Sequence, residues 1–113
     1  MKTLNKKNLK KINSLLNAIQ VNSSIADRDY LQPTAYEKSK ENKKALKKYY
    51  FGKWMFANNY LLKIQLFNEF GICIDNAEND AKHEDEYIAD EDKCYQEYDE
   101  IKLTFSETLK GEK

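Results

Sequence analysis

The chain has 113 residues, 41% of them apolar, with fourteen aromatics, three glycines and one proline. This is one domain's worth of chain with enough apolar surface for a core, which excludes global disorder, and so few turn residues exclude a sandwich or barrel of many short strands. The net charge is zero, but residues 1–63 carry fourteen Lys/Arg against four Asp/Glu and residues 64–113 carry five against fifteen, a polarity that suits a polyanionic partner, a basic partner or a second copy of the chain.

Leu9, Ile12, Leu15, Leu16 and Ile19 recur at helical spacing, with Lys6, Lys7, Lys10 and Lys11 mostly off that stripe. The pattern predicts an amphipathic first helix over residues 4–21, with Thr3 as its N-cap. The run Asn22, Ser23, Ser24 interrupts it, and Ser24 to Asp27 resembles a weak capping box for a short helical turn near 24–31, ending before Pro33. Thr34, three residues before Glu37, forms a better start signal, a reciprocal capping box opening a second helix over residues 35–70.

Beyond Tyr49 the apolar residues of this second helix occupy almost every face, as in a central helix with neighbours on several sides. Gly52 costs it about 1 kcal/mol relative to alanine and marks a kink or a close crossing. Gly71 suits the left-handed position after the helix, with Ile72 against Phe67 as in a Schellman motif. Asp75 and Glu78 then pair as N-cap and third residue of a third helix over 76–110. Its stripe is Tyr87, Cys94, Tyr98, Ile101, Phe105 and Leu109, with Ile88 and Tyr95 at the edge and Gly111 just past its end; the alternative takes residues 101–105 as a strand. The expected fold is a small all-α bundle of three main helices, the second and third forming an antiparallel hairpin.

A regular third helix places Glu78, Asp85, Asp92 and Asp99 in one row at steps of about 10.5 Å. Glu86, Asp90, Glu97, Glu100 and Glu107 lie beside it, making a carboxylate face that Lys82 and Lys93 are too few to neutralise. Most such faces are only solvated; the functional alternative is a surface for a basic partner, including a groove built to hold phosphates. Asp80, Glu84 and Glu91 instead fall in the sector that is apolar further along, so that part of the helix must protrude or meet lysines.

Lys38, Lys40, Lys43, Lys44, Lys47, Lys48 and Lys53 stand beside Tyr49, Tyr50, Phe51 and Trp54 on the second helix. They form the alternative site, a phosphate-binding face with rings for stacking on bases, against the plainer reading of core aromatics and solvated lysines. Like charges at Lys40, Lys44 and Lys48 leave repulsion that an anion would relieve.

Cys73, His83 and Cys94 do not make a metal site on a regular helix: His83 and Cys94 are about 16 Å apart, and the cysteines roughly 30 Å. His83 is expected on the surface and Cys94 in the core. The chain has no GxGxxG, Walker A, HExxH or GxSxG sequence, so no catalysis, metal or cofactor is expected. No apolar run reaches membrane-spanning length, and the lysine-rich start lacks the apolar core of a secretory signal. Two cysteines without such a signal read as cytoplasmic thiols. Abundant Lys, Asn and Ile beside a single Arg suit an A/T-rich genome, such as that of a low-GC bacterium, its phages or its plasmids. The expectation is a cytoplasmic, non-enzymatic binding protein, an inhibitor or regulator with an acidic docking face; the alternative is a nucleic-acid-binding accessory subunit. Homo-oligomerisation is a third option.

Overall fold

The computed structural model describes residues 4–104, all of whose regular structure is helical. Helix α1 (Lys6–Ala26) runs without a break into a π-helical turn, Asp27–Leu31. A short α2 (Ala35–Ser39) precedes the long α3 (Lys43–Phe70). A single-turn α4 (Ala77–Asp80) then passes through a 3-10 turn, Ala81–His83, into α5 (Glu84–Asp99). The all-α bundle of three long helices is thus as expected, while several helix ends differ for identifiable reasons.

Asn5 caps α1, its side chain accepting from the Asn8 N–H at 2.8 Å. Thr3, the expected cap, lies outside the described residues. The helix does not stop at Asn22, because α3 supplies partners for its polar groups. Asn22 donates to Asn58 Oδ1 at 3.0 Å, and the Asn59 amide donates to the Ile19 carbonyl and the Ser23 hydroxyl at 3.1 and 2.8 Å. Polar residues that would favour a turn in isolation are held in a helix by these bonds. Gln32, extended before Pro33, ends the segment.

The second helix is also not one piece. Thr34 precedes α2 but makes no side-chain capping bond, so the expected box with Glu37 does not form. The chain leaves the helix after Ser39, and Asn42 (φ −162°, ψ 166°) restarts it by accepting from the Ala45 N–H at 2.7 Å. From there α3 is continuous through Gly52. Gly71 closes it in the left-handed conformation (φ 72°), donating to the Phe67 carbonyl at 2.9 Å. The Ile72 N–H reaches the Leu66 carbonyl at 3.3 Å rather than that of Phe67, so the full Schellman pattern does not form. Asn76, not Asp75, precedes α4, and it makes no capping bond. Asp75 instead adopts φ 56°, and its carboxylate is tied to Lys63 at 2.5 Å.

The last helix ends at Asp99 rather than near 110. Lys47 of α3 reaches the carbonyls of Tyr98 and Ile101 at 3.3 and 2.8 Å, so acceptors that a longer helix would have used internally are satisfied by a lysine. Residues 101–104 carry no regular structure, so the strand alternative fails over them. Phe105, Glu107, Leu109 and Gly111 lie outside the described residues.

Helix α3 is central. Pairs Lys11–Glu69 and Asn22–Asn58 set α1 antiparallel to it, and Tyr87–Tyr60 and Glu97–Lys53 do the same for α5. Ile12 and Ile19 of α1 close over Leu66 and Phe70, with Leu15, Leu62, Ile72 and Ile74 around them. Each such side chain contributes about 1.5–3 kcal/mol when fully buried. The helices α1 and α5 pack on α3 and not substantially on one another, giving a body of 50 × 28 × 24 Å.

Gly52 is where the π turn meets α3. A Cβ there would lie 3.1 Å from the Cβ atoms of Asp29 and Tyr30 and 3.2 Å from the Tyr30 nitrogen. The expectation of a close crossing holds, and the backbone turn leaves little room to yield. Gly52→Ala, normally stabilising inside a helix, is therefore expected to lower stability by about 1 kcal/mol net of its helix-propensity gain. Urea unfolding measures this, and an increased midpoint would show that the turn yields freely.

Candidate interaction surfaces

The inner sides of α4 and α5 explain most of the carboxylates that had no place in an apolar sector. Trp54 donates its indole N–H to Glu91 at 2.5 Å, and Tyr87 donates its hydroxyl to Asp80 at 2.9 Å. The expected lysine partners are thus replaced by the polar tips of aromatic rings, whose bodies pack between the helices. Glu84 is exposed and needs no partner. Trp54 also meets Tyr95 and Tyr98 at centroid distances of 4.8 and 5.4 Å, Phe51 meets Tyr98 at 5.5 Å, and Tyr60 stacks on Tyr87 at 5.0 Å.

Glu97, expected on the outer carboxylate face, is instead turned into the seam, where Lys53 binds it at 2.8 Å. That hydrogen bond, against the cost of burial, raises the Lys53 pKa. The hydrogen bond to Asp80 raises the Tyr87 hydroxyl above its ordinary range, with burial acting in the same direction. Burial raises the Tyr49 hydroxyl, and burial followed by the field of Asp90 raises the Cys94 thiol. Cys94 is a buried free thiol as expected, whereas Cys73 is exposed and His83 lies on the surface, 3.3 Å from Glu86.

The remaining members of the expected acidic face, Glu78, Asp85, Glu86, Asp90, Asp92, Asp99 and Glu100, are all exposed. Lys102 lies 3.5 Å from Asp99. Among the described residues no lysine or arginine pairs with Asp85, Asp90 or Asp92.

The lysine-rich segment is divided by the fold. Lys47 and Lys53 are consumed at the α3–α5 seam, Lys47 also lying 4.1 Å over the Tyr98 ring. Lys40 sits near Glu37 at 3.6 Å and over the Tyr36 ring at 4.3 Å. Lys38, Lys43 and Lys48 are exposed and Lys44 is half-buried. Tyr49, Tyr50, Phe51 and Trp54 are half-buried among other rings, with Tyr49 touching Tyr30, Tyr36 and Tyr50. Of the rings in this neighbourhood only Tyr36 is largely exposed.

A cleft of about 350 Å³ separates the end of α1 and the π turn from α3, lined by Ser23, Asp27, Leu31, Phe56, Asn59 and Lys63 among others. Asn59 Oδ1 is buried nearby with no hydrogen-bond partner. Among the described residues no group of three or more His, Cys, Asp or Glu could hold a metal ion, and no helix is long and apolar enough to cross a membrane. No protein-family model, curated protein or solved structure matches this chain.

The partnership of Trp54 with Glu91 was invisible along the sequence because the residues are 37 positions apart. The clue was indirect: carboxylates in a sector otherwise occupied by tyrosines, opposite a helix carrying the single tryptophan. Glu91→Ala is expected to cost about 1–3 kcal/mol by orphaning the indole N–H, and Glu91→Gln, which keeps an acceptor, much less. Denaturation followed by the fluorescence of that tryptophan compares the two variants, and equal losses would count against the bond. Tyr49, Tyr87 and Lys53 all have raised pKa values, so their stabilising contribution is complete below about pH 10 and is lost as pH rises through the folded-state values. Unfolding midpoints across the alkaline range should fall accordingly, and less steeply for Tyr87→Phe.

Proposed function

We propose that this protein acts by binding, without catalysis, and that it docks the outer face of α5 on a basic surface of a partner protein as an inhibitor or regulator. The supporting observation is that packing absorbs Asp80, Glu91 and Glu97 while Asp85, Asp90, Asp92 and Asp99 stay exposed. Asp85, Asp92 and Asp99 recur every seven residues on a helix held by a ring-packed seam, at steps of about 10.5 Å. A rigid row of this kind complements a groove built with lysine and arginine, such as one that holds nucleic acid, and speeds encounter with it at low salt. Two free thiols, Cys73 among them exposed, suit a cytoplasmic setting.

The alternative, nucleic-acid binding by residues 38–54, is supported by the outward positions of Lys38, Lys48 and Tyr36. It is weakened by the engagement of Lys47 and Lys53 within the fold and by the ring contacts of Tyr49, Tyr50, Phe51 and Trp54.

Asp85→Lys, Asp92→Lys and Asp99→Lys in one chain should abolish capture of a basic partner while leaving helical circular dichroism intact. Capture that is equally strong with the reversed face would reduce that face to solvated surface. A gel shift of single- or double-stranded nucleic acid that weakens steeply with salt would favour the lysine segment instead.

A further inference from the structure

Helix α1 carries four lysines and no carboxylate, and α5 carries eight carboxylates and one lysine. The two pack on α3 rather than on each other, so this opposition is not neutralised between them. Each helix also leaves a pair of large apolar side chains exposed at the same spacing, Leu9 (48%) and Leu16 (37%) on α1, which exposes Val21 as well, and Ile88 (41%) and Tyr95 (43%) on α5. Seven residues are close to two helical turns, so each pair stands on one face about 10.5 Å apart. On α5 the pair alternates with Asp85, Asp92 and Asp99 along one ridge, each aspartate three or four residues from Ile88 or Tyr95. On α1, Lys6 stands beside Leu9 at three residues' spacing and Lys10 flanks that side, while Lys7 lies further round the helix.

We propose that a second copy of this chain occupies the α5 face, with Leu9 and Leu16 of one copy packed against Ile88 and Tyr95 of the other. The inference rests on the docking role proposed above for that face, and it names the partner. Matching seven-residue spacings allow side chains of the two helices to interdigitate. Lys6 and Lys10 beside that contact meet the aspartates of α5, relieving repulsion that each helix carries alone. Contacts of α1 with α1 or α5 with α5 bring like charges together, so the unlike pairing is selected. Because the joined surfaces differ, the contact closes as a two-fold pair when both copies of it engage at once and otherwise extends into a chain.

Light scattering on the full chain, over rising concentration at low salt, should give a mass climbing from 13.3 kDa toward twice that value or more and returning to 13.3 kDa at high salt. Lys6→Glu, Lys7→Glu and Lys10→Glu together should hold the chain at the monomer mass, as should the triple reversal of Asp85, Asp92 and Asp99 to Lys. All six reversals in one chain keep the net charge and should restore association. Leu9→Ser with Leu16→Ser tests the apolar half and should also leave a monomer, with circular dichroism checking that each variant is folded. A wild-type chain that stays at 13.3 kDa throughout would overturn self-association. So would association that survives the triple reversals, or a six-fold reversal that stays monomeric. A monomeric wild type whose capture of a foreign basic protein is abolished by the α5 reversal would leave the docking role standing, which separates the two failures.

Discussion

The indole N–H of Trp54 on the carboxylate of Glu91 is the interaction that lets so acidic a helix pack against α3 at all. An unpaired carboxylate in that seam would oppose burial of the rings beside it. With Glu91 taken by Trp54, Glu97 by Lys53 and Asp80 of α4 by Tyr87, the acidic segment keeps its charge and still presents a face of tyrosines to α3. The same seam supplies the end of α5, since Lys47 lies over the Tyr98 ring and donates to the carbonyls of Tyr98 and Ile101. Polar groups thus decide both where α5 sits and where it stops.

The α1 side of α3 is organised differently. Its apolar centre is Ile12, Ile19, Leu66 and Phe70, and beyond that centre an asparagine network carries α1 one turn further than its own residues favour. The wider π turn then brings Asp29 and Tyr30 against Gly52, where the missing side chain permits the approach. Tyr30 continues from there into contacts with Tyr49 and Phe56, tying the turn to the aromatic face of α3. A glycine that looks like a weakness in an isolated helix is therefore a docking position for another segment.

Keeping the basic and acidic helices on separate parts of a central helix has an electrostatic consequence. Charges of one sign accumulate on α1 and of the other on α5, and little of either is neutralised by the opposite helix. Both the docking role and the self-association proposed for this protein draw on that separation. They differ in whether the complementary surface belongs to another protein or to another copy of the same chain.

Local signals determined the helical class and the main segments. The stripe of α1, the nearly continuous apolar run of α3 and the glycine that ends it are short-range features, and their physics acts within one or two turns. The outer row Asp85, Asp92 and Asp99 was legible for the same reason, since helical spacing alone puts those residues on one face. Tertiary contact decided the rest. Asn22 and Ser23 belong to a helix because α3 binds the groups around them, and α5 stops at Asp99 because Lys47 accepts the role of its next turn. Glu97 faces inward because Lys53 stands opposite, whereas Asp92, five residues earlier on the same helix, remains in solvent. Periodicity assigns a residue to a sector; only the partner across the seam determines whether a charge in that sector is buried, paired or left for another molecule.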